Sequence, residues 1–311
     1  MDIYFVLHVV GPVFLLLGLG YFAGRQKQFS GEQMRGLTTL VLRYAMPAAL
    51  FLGMAQFDRE LLLRQGPLVL IMLLFYSGFF VLGYTLLRAA RQPAMDAALL
   101  SYAGTSKAAT VYGLLVLTQL FGADLGRAMV GLSALIMNLT QLSLAIYLFK
   151  SAGTGEAPSI LATLRKTLVD PLVIAPFLGA VIALSGFTLP AVISDIMEPL
   201  AETAGPVAIF AAGLAMATFR LHLGSRAVVL AVLNSLVVMP ALFFVLLKLF
   251  GLSGPVPQAA FVVCLLPIAS KALLFSETYE EEEGPVASIL LITSLALFIT
   301  IPLGIWLTSF L

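Results

Sequence analysis

Apolar stretches of membrane-spanning length recur along almost the whole chain, and they leave few folds open. A helix that crosses a bilayer needs about 20 mostly apolar residues. Ten such runs are present, at roughly 3–23, 35–56, 66–89, 97–118, 127–149, 168–187, 197–219, 226–250, 257–279 and 284–309. Their connections are short. The longest, 150–167, includes Gly153, Gly155 and Pro158 and separates two sets of five. Only 11% of the residues are charged and 60% are hydrophobic, against about 25% charged in a soluble chain. The solvent for most of the surface is therefore lipid. A net charge of +1 gives no footprint for nucleic acid. The first run follows Met1-Asp2 with no basic stretch and is long enough to span, which predicts a retained helix. Cys264, the single cysteine, falls in an apolar run and is expected to be a small buried hydrophobe.

The two sets of five resemble each other. Pro47 and Phe51 of the second run recur as Pro206 and Phe210 of the seventh, displaced by 159. Lys107 and Lys271 are displaced by 164, as are Pro12 and Pro176. Nearly constant offsets across three pairs argue for a duplicated unit. An odd number of spans per unit forces the second copy to enter the membrane inverted. The expected fold is an all-α membrane protein of ten transmembrane helices in two inverted five-helix repeats. These occupy 1–149 and 168–311, about a cytoplasmic linker at 150–167. With both termini outside, ten Lys/Arg lie at cytoplasmic ends of runs, four at outer ends, and Arg43, Lys107 and Lys271 within runs. That bias follows the positive-inside rule and predicts a multi-pass protein of the inner (plasma) membrane.

Lys107 and Lys271 are the sharpest local signal. Each sits in a Ser-Lys-Ala triplet, Ser106-Lys107-Ala108 and Ser270-Lys271-Ala272. Each run is loosened just before the lysine, by Gly104 in one and Pro267 in the other. A lysine at the centre of a membrane helix costs about 2.5–3.5 kcal/mol, so something must offset it. Three partners are open: an anionic substrate, the carbonyl ends of interrupted helices, or a vacated cation position that a lysine fills. An interrupted helix near Gly104-Thr105-Ser106 exposes backbone N–H groups, and a helix N-terminus favours a carboxylate. Paired interruptions in equivalent runs are the pointer to a transporter site. The candidate substrate-binding residues are Lys107, Lys271, Thr105, Ser106, Ser270, Asn138 and Gln141, with Gly104 and Pro267 as the helix breaks. Asn138 and Gln141 are three apart, which on an α-helix is one face. Thr140, Thr293, Ser294, Asn234 and Ser235 either line the same cavity or join neighbouring helices. Arg43 is less central and is expected to snorkel to the membrane surface.

No Asp or Glu falls near the middle of a run, which argues against a proton path built on carboxylates. His8 and His222 are isolated, so no metal site is expected. There is no phosphate-binding G-x-x-x-x-G-K-[ST] segment and no pairing of nucleophile and base, so neither a cofactor nor an enzyme activity is expected.

The chain resembles the auxin efflux carrier family, including its bacterial malonate-type permeases. The residues that carry the resemblance are Leu42 to Phe51, LRYAMPAALF, in the second run; Gly205-Pro206, Phe210 and Gly213-Leu214 in the seventh; and Leu266-Pro267 with Ser276-Glu277-Thr278-Tyr279 in the ninth. The resemblance covers nearly the full length. It implies a scaffold of runs 1, 2, 6 and 7 that also forms a homodimer. It implies a moving domain of runs 3–5 and 8–10, in which broken helices 4 and 9 cross. In the fourth run the family usually shows an Asn and a later Gly-x-Pro. Here Thr105-Ser106-Lys107 and Gly113-Leu114-Leu115 stand instead.

The expected function is secondary transport of a small organic anion, a mono- or dicarboxylate, by alternating access of elevator type. The expected partners are that anion, the lipid bilayer and a second copy of the chain, with a coupling proton or sodium ion left open. The alternatives are a sodium-coupled symporter of the bile-acid type and a membrane sensor that binds an anion without flux.

Overall fold

The computed structural model describes residues 3–153, 159–217, 226–269, 271–272 and 283–311. Described regular structure is helical throughout, with one isolated antiparallel bridge. We label the helices α1 (Ile3–Arg25), α2 (Gly31–Ala55), α3 (Arg59–Arg64), α4 (Gly66–Ala89), α5 (Ala94–Thr105), α6 (Ala109–Phe121) and α7 (Ala123–Ala152). The second half holds α8 (Ile160–Leu168), α9 (Pro171–Ser185), α10 (Ala191–Met216), α11 (Arg226–Leu249), α12 (Pro255–Leu265) and α13 (Glu283–Thr308). Among the described residues, seven helices are long and apolar enough to cross a membrane, or eight if α8 and α9 count as one bent span.

The fourth and ninth apolar runs, expected as broken helices, are not continuous. The fourth is split into α5 and α6, and the ninth breaks after Leu265. The linker carries α8, which meets α9 at a 72° bend.

Local chemistry sets the helix ends. Ser30 and Gln33 form a reciprocal capping box at the start of α2, satisfying two orphan amides. Asp170 accepts the N–H of Leu172 at 2.8 Å, and Pro171 takes the first position of α9, where a missing N–H costs nothing. Gly186 closes α9 in the left-handed conformation with φ 76°.

Four helices contain a π-turn: Val41–Ala45 in α2, Ala109–Gly113 in α6, Asn138–Leu142 in α7 and Asn234–Val238 in α11. Two of these directly precede Met-Pro pairs, Met46-Pro47 and Met239-Pro240. Proline lacks an N–H and crowds the carbonyl four residues back, so the helix widens by a residue just upstream. The Met46 N–H reaches back to Val41 O, and that of Met239 to Asn234 O.

Helix α1 packs along α10, and α9 along α2. The first pair approaches so closely that a Cβ on Gly20 or Gly213 would run into the facing backbone, of Phe210 and of Leu17 respectively. The broken helices α5–α6 and α12 lie among α4, α7, α11 and α13.

Candidate functional site

The two helix breaks meet. Residues 106–108 and 266–269 lie outside the helices, and Lys107 and Ile268 form an antiparallel bridge. Ala108 N–H donates to Pro267 O at 2.8 Å, and Ala269 N–H to Ser106 O at 3.0 Å. Irregular backbone inside a bilayer is tolerated only where protein or a wet cavity satisfies it. Here each break satisfies the other. Side chains complete the pairing: Asn234 Nδ2 donates to Gly104 O at 3.0 Å, Thr300 Oγ1 to Leu265 O at 3.4 Å, and Ile268 N–H to Thr293 Oγ1 at 3.3 Å. The residues expected to break the helices, Gly104 and Pro267, therefore both lie at the crossing. Helix α5 runs on through Thr105.

The two lysines have different surroundings. Lys107 is 3% exposed, and its ammonium donates to Ser235 O at 2.7 Å and Ser235 Oγ at 2.6 Å. Ser235 belongs to the π-turn of α11. Lys271 is partly exposed, and its ammonium donates to Asn138 Oδ1 at 3.0 Å. Asn138 opens the π-turn of α7. Each lysine thus ends on a π-turn, where the altered winding turns polar groups inward.

Thr105 is buried, and its hydroxyl donates to Ser101 O at 2.8 Å. Gln141, also buried, donates from Nε2 to Tyr76 O at 2.8 Å and to Thr105 Oγ1 at 3.3 Å. Its Oε1 has no donor among the described residues. Asn138 and Gln141 therefore do not act together on one face, as an α-helical spacing predicts. The π-turn winds more than 3.6 residues per turn, so residues three apart diverge. One reaches Lys271, the other Thr105 and α4. Ser106 contributes its backbone carbonyl to the crossing. Ser270 and the segment Ser276–Tyr279 lie outside the described residues. Arg43 is exposed, and Cys264 is fully buried.

Three contributions are not evident from hydropathy. Tyr112 OH and Ser294 Oγ pair at 2.9 Å between α6 and α13. Asp170 caps α9 by accepting the Leu172 N–H. Arg127 of α7 forms a two-pronged ion pair with Glu198 of α10, at 2.6 and 2.8 Å. Asp170-Pro171 carries a readable helix-start pattern. The other two need the tertiary structure.

A family model described as "Membrane transport protein" matches residues 5–305. The chain belongs to this family, that of the auxin efflux carriers. It is 26% identical over 299 residues to "Uncharacterized transporter YfdV" of Escherichia coli (strain K12), covering 95% of each chain. It is 26% identical over 300 residues to a Rhizobium meliloti (strain 1021) protein named "Putative malonate transporter", covering 92% of this chain and 91% of that one. An uncharacterized transporter of Methanocaldococcus jannaschii is 24% identical over 306 residues, covering 96% and 97%. The protein is thus a multi-pass membrane transporter, and its working surroundings are a lipid bilayer and a small-molecule substrate.

Proposed function

We propose that this transporter carries a small organic anion, a mono- or dicarboxylate, and that Lys271 is its anion contact. The carrying observation is the Lys271–Asn138 pair. A cation that is partly exposed, hydrogen-bonded among the described residues to one neutral acceptor and set beside paired helix breaks can exchange into a carboxylate. Lys107 is already engaged twice by Ser235, so in this reading it positions the break and touches no substrate. The relative named as a malonate transporter supports a dicarboxylate.

In this reading the chain is built from two inverted five-helix repeats, with α5–α6 and the α12 run as the broken fourth and ninth spans. Helices α1, α2, α9 and α10 form a scaffold that pairs with a second copy. The remaining spans move against it as an elevator. A cavity of about 310 Å³ between α6, α7 and α10 lies on that boundary, lined by Thr118, Gln119, Arg127 and Glu202 among others. The close packing of α1 on α10 and of α2 on α9 supports a rigid scaffold.

The test is uptake of radiolabelled malonate into proteoliposomes, with wild-type protein and Lys271→Met. Saturable uptake that is lost in the variant supports the reading. Binding without flux points to a sensor. Gln141 Oε1, buried and without a donor among the described residues, favours a second reading, coupling to a sodium ion through an oxygen ligand. Uptake that requires sodium, in wild type but not in Gln141→Leu, is its signature.

A further inference from the structure

Arg127 stands near the start of α7, beside the cavity that separates α6 and α7 from α10. Its guanidinium meets Glu198 of α10 in a fork, Nη1 to Oε2 at 2.8 Å and Nη2 to Oε1 at 2.6 Å. The arginine side chain is only 10% exposed, so its charge depends on a carboxylate partner more than on water. On the other side, Gly53 of α2 sets where the arginine starts. A Cβ on that glycine would run into the Cβ and carbonyl carbon of Arg127. The arginine is thus held between α2 and α10, while its own helix belongs to the part that moves in the reading above.

A displacement of α7 along α10 has to break this ion pair. A mostly buried charge left without a partner is strongly unfavourable. With one carboxylate available, the arginine would hold the two parts in a single position. Glu202 supplies a second. It lies four residues beyond Glu198, on the next turn of the same face of α10. It is exposed, lines the cavity together with Arg127, and has no ion pair among the described residues. The cavity, about 310 Å³, gives a guanidinium room to pass. Four residues of α-helix rise about 6 Å. Packed elements commonly move past one another in steps of one helical turn.

We propose that Arg127 passes from Glu198 to Glu202 as the transport domain moves, which makes Glu202 a working residue of the transport step. The two carboxylates then mark end positions about 6 Å apart. The proposal rests on the moving-domain reading above, and it holds for whichever anion is carried.

The experiment uses the full chain in liposomes, in a Cys264→Ala background. Spin labels are placed on cysteines replacing Asp124, exposed near the start of α7, and Phe22, exposed near the end of α1. Pulsed electron paramagnetic resonance then reads their separation, and malonate uptake is measured on the unlabelled variants. The protein with both glutamates should show two distance populations differing by up to about 6 Å. Glu202→Gln should lose the second population and take up malonate at least about tenfold more slowly. Its melting temperature should hold and its malonate affinity stay within about twofold, well under a decade. Glu202→Asp, which keeps the carboxylate, should retain both populations, and Glu198→Gln should shift them towards the second. A single population with and without malonate, or two populations unchanged by Glu202→Gln, overturns the proposal. Uptake at the wild-type rate in Glu202→Gln also overturns it and leaves the transport reading intact. Absence of malonate uptake in wild type, with populations that still respond to Glu202→Gln, removes malonate as the substrate and upholds the passage between the two carboxylates.

Discussion

Lys107 and Ser235 are joined twice, the lysine ammonium donating to both the carbonyl and the hydroxyl of the serine, at 2.7 and 2.6 Å. A helix break on α5–α6 is thereby tied to a π-turn on α11. The carbonyl is available because the π-turn interrupts the regular bonding of α11. A cation that is costly in lipid is offset by two acceptors that are themselves costly to leave unpaired.

Lys107→Met keeps the stem and removes the charge. It leaves the Ser235 acceptors without their donor. We expect thermal stability to fall by about 1–3 kcal/mol. Malonate affinity of the folded fraction should change by less than about twofold, far from the 1.4 kcal/mol that a decade requires. Melting curves and ligand titration on the same preparation check both. A loss of affinity without loss of stability would place Lys107 on the substrate.

Lys271→Met should show the opposite pattern. Loss of a charge-assisted contact is worth about 1.5–3 kcal/mol, so affinity should fall roughly 10- to 150-fold while the melting temperature holds. Asn138→Ala removes the acceptor that orients Lys271. Asn138 acts on the anion only through the orientation of Lys271, so the loss should be smaller, below about tenfold, or 1.4 kcal/mol. Isothermal titration with malonate ranks the two.

Arg127→Gln should destabilise the protein. Its guanidinium side chain is 10% exposed, and the variant strands Glu198, whose side chain is 35% exposed. Water reaches that carboxylate, so the cost should be about 1–3 kcal/mol, below the 3–5 expected for a fully buried pair. Arg127→Gln/Glu198→Gln should recover part of it. Equal melting temperatures for the two variants would show that the pair is not coupled.

The lysine/arginine bias predicts a cytoplasmic position for α8. A cysteine replacing exposed Ser159, in a Cys264→Ala background, should react with an impermeant maleimide in inside-out vesicles and not in intact cells. Labelling of intact cells would invert the topology.

The scaffold reading requires two copies. Mass measurement in mild detergent and in nanodiscs should give twice the 33.2 kDa chain mass. A monomer across several lipid compositions would remove α2 and α10 as a dimer surface.

The helices most legible in the sequence are those whose stability comes from lipid. Runs such as 66–89 need no partner to be helical in a bilayer, so hydropathy alone locates them. The break in the ninth run has a backbone signal in Pro267, whereas α5 runs through Gly104 and ends at Thr105. The π-turns are less legible: widening a helix by one residue leaves its composition unchanged, which is how Asn138 and Gln141 come to share a face in the sequence and diverge in the fold. Helix α8 is hidden for another reason. At nine residues it is too short for a spanning pattern, and its burial depends on Thr167 meeting Ser143 of α7. The Lys107–Ser235 contact joins positions 128 apart, a distance at which no local pattern operates.

That separation of 128 residues also imposes a schedule on biosynthesis. Ribosomes add about 5–20 residues per second, so Ser235 emerges roughly ten seconds after Lys107. Through that interval the first half of the chain holds a cation inside an apolar run and a helix break whose amides have no strand to meet. The half-made protein is thus its own most hazardous form, and whatever shelters Lys107 at the insertion machinery acts before the permanent partner exists.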